Sequence, residues 1–110
     1  MQERGAVRIT PRAAITVVIE DEGYGQAYGV VANISEAGAC VWTNGRFSIG
    51  DNLVVRLSFV REPQPFQTSG QVVWGDPTPE RDTATRYGLK WAPVPAPEHE
   101  RLRSLISASA

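Results

Sequence analysis

The chain has 110 residues, of which 42% are hydrophobic and 21% charged, so it is sized for one small globular domain with a single core. Its formal net charge of −1 disfavours a long nucleic-acid partner, which requires a broad basic surface. No apolar run approaches the roughly 18 residues of a membrane-spanning helix, and the N-terminus lacks the apolar segment of a signal peptide. We therefore expect a cytoplasmic protein that does not insert into a membrane.

Short β-strand patterns separated by turn residues occupy most of the chain. The predicted strands, in chain order, are 13–20, 27–34, 37–43, 51–60, 66–74 and 86–92. Segment 51–60 shows the clearest alternation, with Leu53, Val55, Leu57 and Phe59 at every second position. Six short strands within about 80 residues predict an all-β domain, either a closed antiparallel barrel or a small sandwich.

The end of the chain has a different pattern. Leu102, Leu105 and Ile106 recur at helical spacing within 98–107, and Pro97 suits the first turn of a helix. This pattern predicts a short C-terminal amphipathic helix whose apolar side packs on the barrel.

The first twelve residues are polar and locally basic. They hold Arg4, Arg8 and Arg12 against Glu3 alone, which is three minus one, a local charge of +2. They also have few apolar groups to bury. We interpret residues 1–12 as a flexible arginine-bearing arm ahead of a single domain at 13–110.

Catalytic and metal-binding residues are scarce. His99, the one histidine, lies among acids and arginines on the predicted helix, so we interpret it as a surface residue and expect no enzymatic activity. Cys40 is the one cysteine, so we expect neither an internal disulfide nor a metal site, and no cofactor. Trp42, Trp74 and Trp91 each lie at the end of a predicted strand. We interpret them as caps of the barrel core, with base stacking as the alternative.

Two short motifs flank the first two predicted strands. Arg4 and Arg8 form RxxxR before the first strand, and Asn33, Ser35 and Gly38 form NxSxxG between the second and third. The residues alone also allow a plain turn, in which Asn33 or Ser35 bonds its own backbone and Gly38 takes a positive φ.

Together with GQVVW, RYGLKW and the terminal helix, these motifs resemble the PilZ domain family over essentially the whole chain. The resemblance implies a six-stranded antiparallel β-barrel of PilZ type with a short C-terminal α-helix, and a binding site for the bacterial second messenger cyclic di-GMP. Many family members have a second arginine directly after the first, whereas Gly5 follows Arg4 here, which weakens any expectation about ligand stoichiometry. The ligand-binding residues implied are Arg4, Arg8, Asn33, Ser35 and Gly38, with Arg12 as an auxiliary candidate.

Arg8 belongs to two overlapping RxxxR motifs. Arg8 and Arg12 also form RxxxR, but Arg12 follows Pro11 and abuts the first strand, where the strand pleat fixes its direction. We therefore favour Arg4 and Arg8, which lie on the predicted arm. A guanidinium suits such a ligand because it can fork onto guanine, bridge a phosphate or stack on a base.

The resemblance implies a receptor whose arm becomes ordered over the nucleotide and signals to a downstream protein partner of unknown identity. Two other functions stay open. One is a PilZ-fold protein-interaction adaptor, for example in pilus or motility control, that does not bind the nucleotide. The other is a small nucleic-acid-binding barrel, which the net charge disfavours.

Overall fold

The computed structural model describes residues 8–21, 25–76 and 84–110. The strands close into an antiparallel barrel in the order β1-β2-β3-β6-β5-β4, with β4 paired back to β1. The prediction of a six-stranded β-barrel with a C-terminal helix is therefore confirmed, and the sandwich is excluded. The elements are β1 (Thr16–Asp21), β2 (Gly25–Ile34), β3 (Gly38–Thr43), β4 (Asn52–Ser58), β5 (Phe66–Gly75), β6 (Thr85–Trp91) and α1 (Ala96–Ser109).

Alternate strand residues fill the barrel interior. In β4, Leu53, Val55 and Leu57 are at most 2% exposed. Val54 and Arg56, which lie between them, are half-buried on the outer side. The alternation predicted for this strand is confirmed. The same core includes Val17, Ile19, Val41, Phe66, Val72 and Leu89.

Helix α1 packs its apolar side against the barrel core, as its sequence pattern predicts. Leu102 is 1% exposed, and Leu105 and Ile106 are each 7% exposed. All three belong to the same core cluster as the strand residues. A proline lies in the first turn of α1, where the missing N–H costs no helical hydrogen bond.

A β-bulge in β2 reverses the direction of the side chains that follow it. The pairing with β3 passes from Val31 opposite Val41 to Asn33 opposite Cys40, so Ala32 is an extra residue. Without the extra residue, Asn33 would point the same way as the buried Val31. With it, Asn33 turns to the outer surface.

A second β-bulge has the same effect in β5. The pairing with β6 passes from Val72 opposite Leu89 to Trp74 opposite Gly88, so Val73 is the extra residue. Val72 is 1% exposed and points into the core, whereas Trp74 is 40% exposed and points outward.

The interpretation of the three tryptophans as core caps is confirmed for Trp91, which is 7% exposed and lies in the core cluster. It is wrong for Trp42 and Trp74, which lie on the outer face of the barrel and are 38% and 40% exposed. Trp74 departs from the prediction because of the bulge in β5, which a strictly alternating pattern does not include.

Candidate functional site

Residues directly before β1 run alongside the end of β2. Ile9 and Ile34 exchange both backbone hydrogen bonds, with N···O distances of 2.9 and 3.0 Å, and form an antiparallel bridge. Ile34 is fully buried, and Ile9 packs against the core. Because neighbouring side chains alternate in extended chain, Arg8 and Asn33 project to the outer surface.

Arg8 and Asn33 meet on that surface. The Arg8 guanidinium donates a hydrogen bond from Nη1 to Oδ1 of Asn33 at 2.8 Å. Arg8 is exposed and Asn33 is half-buried. A guanidinium carries five N–H donors, so it can hold this contact and bind an anion or a guanine edge as well. One residue from each sequence motif therefore contributes to the same spot.

Ser35 lies in the turn between β2 and β3 and is 1% exposed. Its hydroxyl accepts a hydrogen bond from the N–H of Ala37 at 3.1 Å, and its own N–H donates to the Gly38 carbonyl at 2.8 Å. The Trp91 indole N–H donates to the Ser35 carbonyl at 3.2 Å. The hydroxyl thus forms the local turn bond that the sequence left open as an alternative.

Gly38 permits the close approach of two strands. A Cβ atom on Gly38 would lie 2.0 Å from the carbonyl oxygen of Leu89 on the neighbouring strand β6. The plain-turn alternative, in which Gly38 takes a positive φ, is wrong on this point. Among the glycines that the structure describes, Gly25 and Gly50 have positive φ.

Of the other candidate arginines, Arg12 is described by the structure and does not reach this spot. Arg4 lies outside the described residues. The backbone N–H of Arg12 donates to the Ser109 carbonyl at 2.9 Å. The Arg12 side chain lines a cleft of about 600 Å³ together with Phe59 and Leu105. Arg12 thus faces the end of α1, while the mobility of residues 1–12 stays a prediction.

Glu36, which the sequence analysis did not single out, ties the turn to α1. Its carboxylate accepts hydrogen bonds from His99 Nε2 at 2.5 Å and from Arg103 Nη2 at 3.4 Å. The bond from His99 is the main reason that the pKa of the Glu36 carboxyl lies below its ordinary value of 4.5. Burial acts in the opposite direction, and Arg103 adds to the lowering. His99 keeps 40% of its side chain exposed, but it has a structural partner.

The closed six-stranded barrel and its C-terminal helix match the fold that the sequence resemblance implies. Comparison with known proteins identifies the family. The family model described as the PilZ domain matches residues 2–108. The chain belongs to the PilZ domain family. No curated protein sequence matches this PilZ domain.

Solved structures share its fold at low sequence identity. The PilZ domain of YcgR from Escherichia coli with c-di-GMP aligns with a TM-score of 0.78 and 12% identity, over 98% of this chain and 92% of that chain. The Bacillus subtilis inhibitor of motility MotI/DgrA aligns with a TM-score of 0.70 and 21% identity, over 99% of this chain but only 50% of that chain. The PilZ domain of CeSA from a cellulose-synthesizing bacterium aligns with a TM-score of 0.67 and 17% identity, over 94% of this chain and 99% of that chain.

Within residues 8–21, 25–76 and 84–110, no three His, Cys, Asp or Glu side chains are grouped so that they could hold a metal ion. In the same part of the chain, no helix has the length and apolar character needed to cross a membrane.

Proposed function

We propose that this PilZ domain is a receptor for cyclic di-GMP, and that it acts in the cytoplasm without catalysing a reaction. The observation that carries the proposal is the 2.8 Å hydrogen bond between Arg8 and Asn33, one residue from each motif, on the outer face of the barrel. The proposed ligand-binding residues are Arg4, Arg8, Asn33, Ser35 and Gly38, with Arg12 as an auxiliary.

The chemistry of Arg8 and Asn33 suits a guanine nucleotide. Arg8 supplies a planar set of charged donors that matches guanine O6 and N7 or two phosphate oxygens. Asn33 supplies an amide whose donor and acceptor can each bind a base edge. Ser35 and Gly38 act with them by holding the turn in the shape that presents Asn33, since Ser35 bonds within the turn and Gly38 lets β3 approach β6.

The proposed signal is the ordering of the N-terminal arm over the bound nucleotide, relayed to a downstream protein partner. The arm carries Arg4 and Arg8, and it is already joined to the barrel through Ile9. Hydrogen exchange of residues 1–12, compared with and without cyclic di-GMP, measures this step. Equal exchange in both states would show that the arm does not relay the signal.

Calorimetric titration with cyclic di-GMP tests the receptor proposal. We expect saturable binding by the wild type and weaker binding by Arg8→Gln, because the substitution removes a charged donor from the site. Arg56→Gln is the matched control. Arg56 lies on β4, is also partly exposed and pairs with Glu20, away from Asn33. If the wild type showed no binding, the adaptor function would replace the receptor.

A further inference from the structure

Four residues, one on each of four neighbouring strands, form a row across the outer face of the barrel. Each lies directly opposite the next, and the row starts at the proposed nucleotide site. Asn33 on β2 lies opposite Cys40, Cys40 lies opposite Gly88, and Gly88 lies opposite Trp74 on β5. We call these four residues the outer row. Neighbouring strands lie about 4.8 Å apart, so the outer row spans roughly 14 Å. The bulges in β2 and β5 turn its two end residues outward.

The end of the outer row far from Asn33 carries an arginine that lies over two indole rings. The guanidinium carbon of Arg86 lies 5.4 Å from the ring centroid of Trp42 and 5.6 Å from that of Trp74. Trp42 and Arg86 are themselves opposed on β3 and β6. A guanidinium attracted to the face of an aromatic ring still carries five N–H donors that can form hydrogen bonds.

This cluster is open to solvent. Trp42 and Trp74 are 38% and 40% exposed, and 47% of the Arg86 side chain is exposed. Nη2 of Arg86 lies 3.9 Å from Oδ1 of Asp76, which is an ion pair but is too long for a hydrogen bond. The backbone N–H of Arg86 donates a hydrogen bond to Oδ2 of the same carboxylate at 3.2 Å. An exposed arginine held in place by two aromatic rings loses little side-chain freedom on binding a ligand.

The middle of the outer row consists of small residues. A Cβ on Gly88 would lie 2.1 Å from Nε1 of Trp74, so glycine is required for the indole to lie against β6. Cys40 is 7% exposed although it faces outward. Burial raises the pKa of the Cys40 thiol, and the positive charges of Arg86 and Arg8 act in the opposite direction.

We infer that Trp42, Arg86 and Trp74 bind one guanosine phosphate unit of a cyclic dinucleotide whose other unit binds at the Asn33 end of the outer row. An indole face stacks on a purine, and the edge of the guanidinium donates to acceptor oxygens on guanine or phosphate. The inference rests on the proposed function and extends its site across three strand spacings.

Calorimetry on an Arg86→Gln variant tests the role of the arginine. We expect cyclic di-GMP to bind about ten- to hundredfold more weakly, because the substitution removes the charged donors and leaves a shorter, neutral polar side chain. Arg56→Gln, on the outer face of β4, serves again as the control and should bind with wild-type affinity. Wild-type affinity in Arg86→Gln would overturn the inference.

Tryptophan fluorescence tests the stacking directly. Saturating cyclic di-GMP should quench the emission of the wild type, because a guanine would lie against an exposed indole. A variant with both Trp42→Phe and Trp74→Phe retains only the buried Trp91, and its emission should not respond. Circular dichroism checks that this variant is folded. Emission of the wild type that is unchanged at saturation would overturn the inference.

The outcomes separate this inference from the proposed function. In one outcome, the wild type binds cyclic di-GMP and Arg8→Gln weakens binding, but Arg86→Gln keeps wild-type affinity and the tryptophan emission is unchanged. The receptor proposal then stands and the extended site is wrong. If the wild type does not bind, both are wrong.

Discussion

The direction of one side chain decides whether the two motifs can act together. Asn33 contacts Arg8 because the extra residue Ala32 turns it away from the core, whereas strict alternation from Val31 would bury it. A buried amide without a partner would cost stability, and an outward amide can serve a ligand. The bulge thus places Asn33 beside Arg8, in the proposed ligand site.

Alanine substitution of each arginine tests which pair forms the RxxxR motif. We expect Arg8→Ala to weaken cyclic di-GMP binding most and Arg4→Ala nearly as much, because a forked guanine contact contributes roughly 1–3 kcal/mol. Arg12→Ala should cost well under about 1 kcal/mol, because Arg12 lines the cleft at the end of α1. Calorimetry on the three variants gives the ranking. A severe loss for Arg12→Ala beside near-normal binding by Arg4→Ala would move the motif to Arg8 and Arg12.

Ser35→Ala separates a structural role of the hydroxyl from a ligand contact. The Ala37 N–H would lose its acceptor in a partly buried turn, so the free energy of unfolding should fall by about 1 kcal/mol, while binding weakens only modestly. Urea denaturation measures the stability, and Ser69→Ala at an exposed position of β5 is the control. Unchanged stability with strongly reduced binding would show that the hydroxyl contacts the ligand.

At the scale of elements, α1 contacts both segments that carry motif residues. His99 and Arg103 bind Glu36 in the turn between β2 and β3. At the other end of the helix, the Ser109 carbonyl accepts a hydrogen bond from the backbone of Arg12 in the arm. A change in the turn or in the arm therefore acts directly on the helix.

The bond between Glu36 and α1 predicts a pH dependence of stability. The pKa of Glu36 is lower in the folded protein than its ordinary value of 4.5, so its stabilising contribution is present above pH 4.5 and is lost as the pH falls through the folded pKa. Glu36→Gln should therefore be less stable than the wild type at neutral pH, and the difference should shrink in acid.

Urea denaturation of the wild type and Glu36→Gln over an acid-to-neutral pH series measures this difference. Glu98→Gln is the control, because that carboxylate is exposed in the first turn of the same helix. A difference between the wild type and Glu36→Gln that stayed constant with pH would show that the charge of Glu36 does not stabilise the link.

The sequence predicted the elements more fully than the contacts between them. Helical spacing of apolar residues predicted the helix at 98–107, compared with Ala96–Ser109 in the structure. The bulges were not predictable from alternation, because an inserted residue such as Val73 carries no distinctive side chain. The contact between Glu36 and His99 joins residues 63 positions apart, a separation at which no local pattern operates. The direction of Trp74 and the role of α1 therefore required the structure.

At the scale of the whole molecule, closure of the barrel determines where a ligand can bind. The pairing of β4 with β1 leaves no free sheet edge, and core side chains fill the interior. The proposed nucleotide site therefore lies on the outer surface. The arm, the turn after β2 and the outer row meet there, so one ligand could contact three parts of the chain that are distant in sequence.

Thermal unfolding tests whether cyclic di-GMP binds the folded barrel at this surface. A ligand that binds only the folded state at about 100 times its Kd stabilises that state by about 2.7 kcal/mol. For a domain of this size, such a gain should raise Tm by roughly 10 °C. Cyclic di-GMP should produce this rise in the wild type.

Arg8→Gln should keep the ligand-free Tm, because Arg8 is exposed, and should lose most of the rise at the same ligand concentration. Arg56→Gln is the control for the ligand effect and should show the full rise. Differential scanning calorimetry on the three proteins decides the result. A full rise in Arg8→Gln would place the nucleotide elsewhere on the barrel, because the arm residue that touches Asn33 would then not contribute to binding.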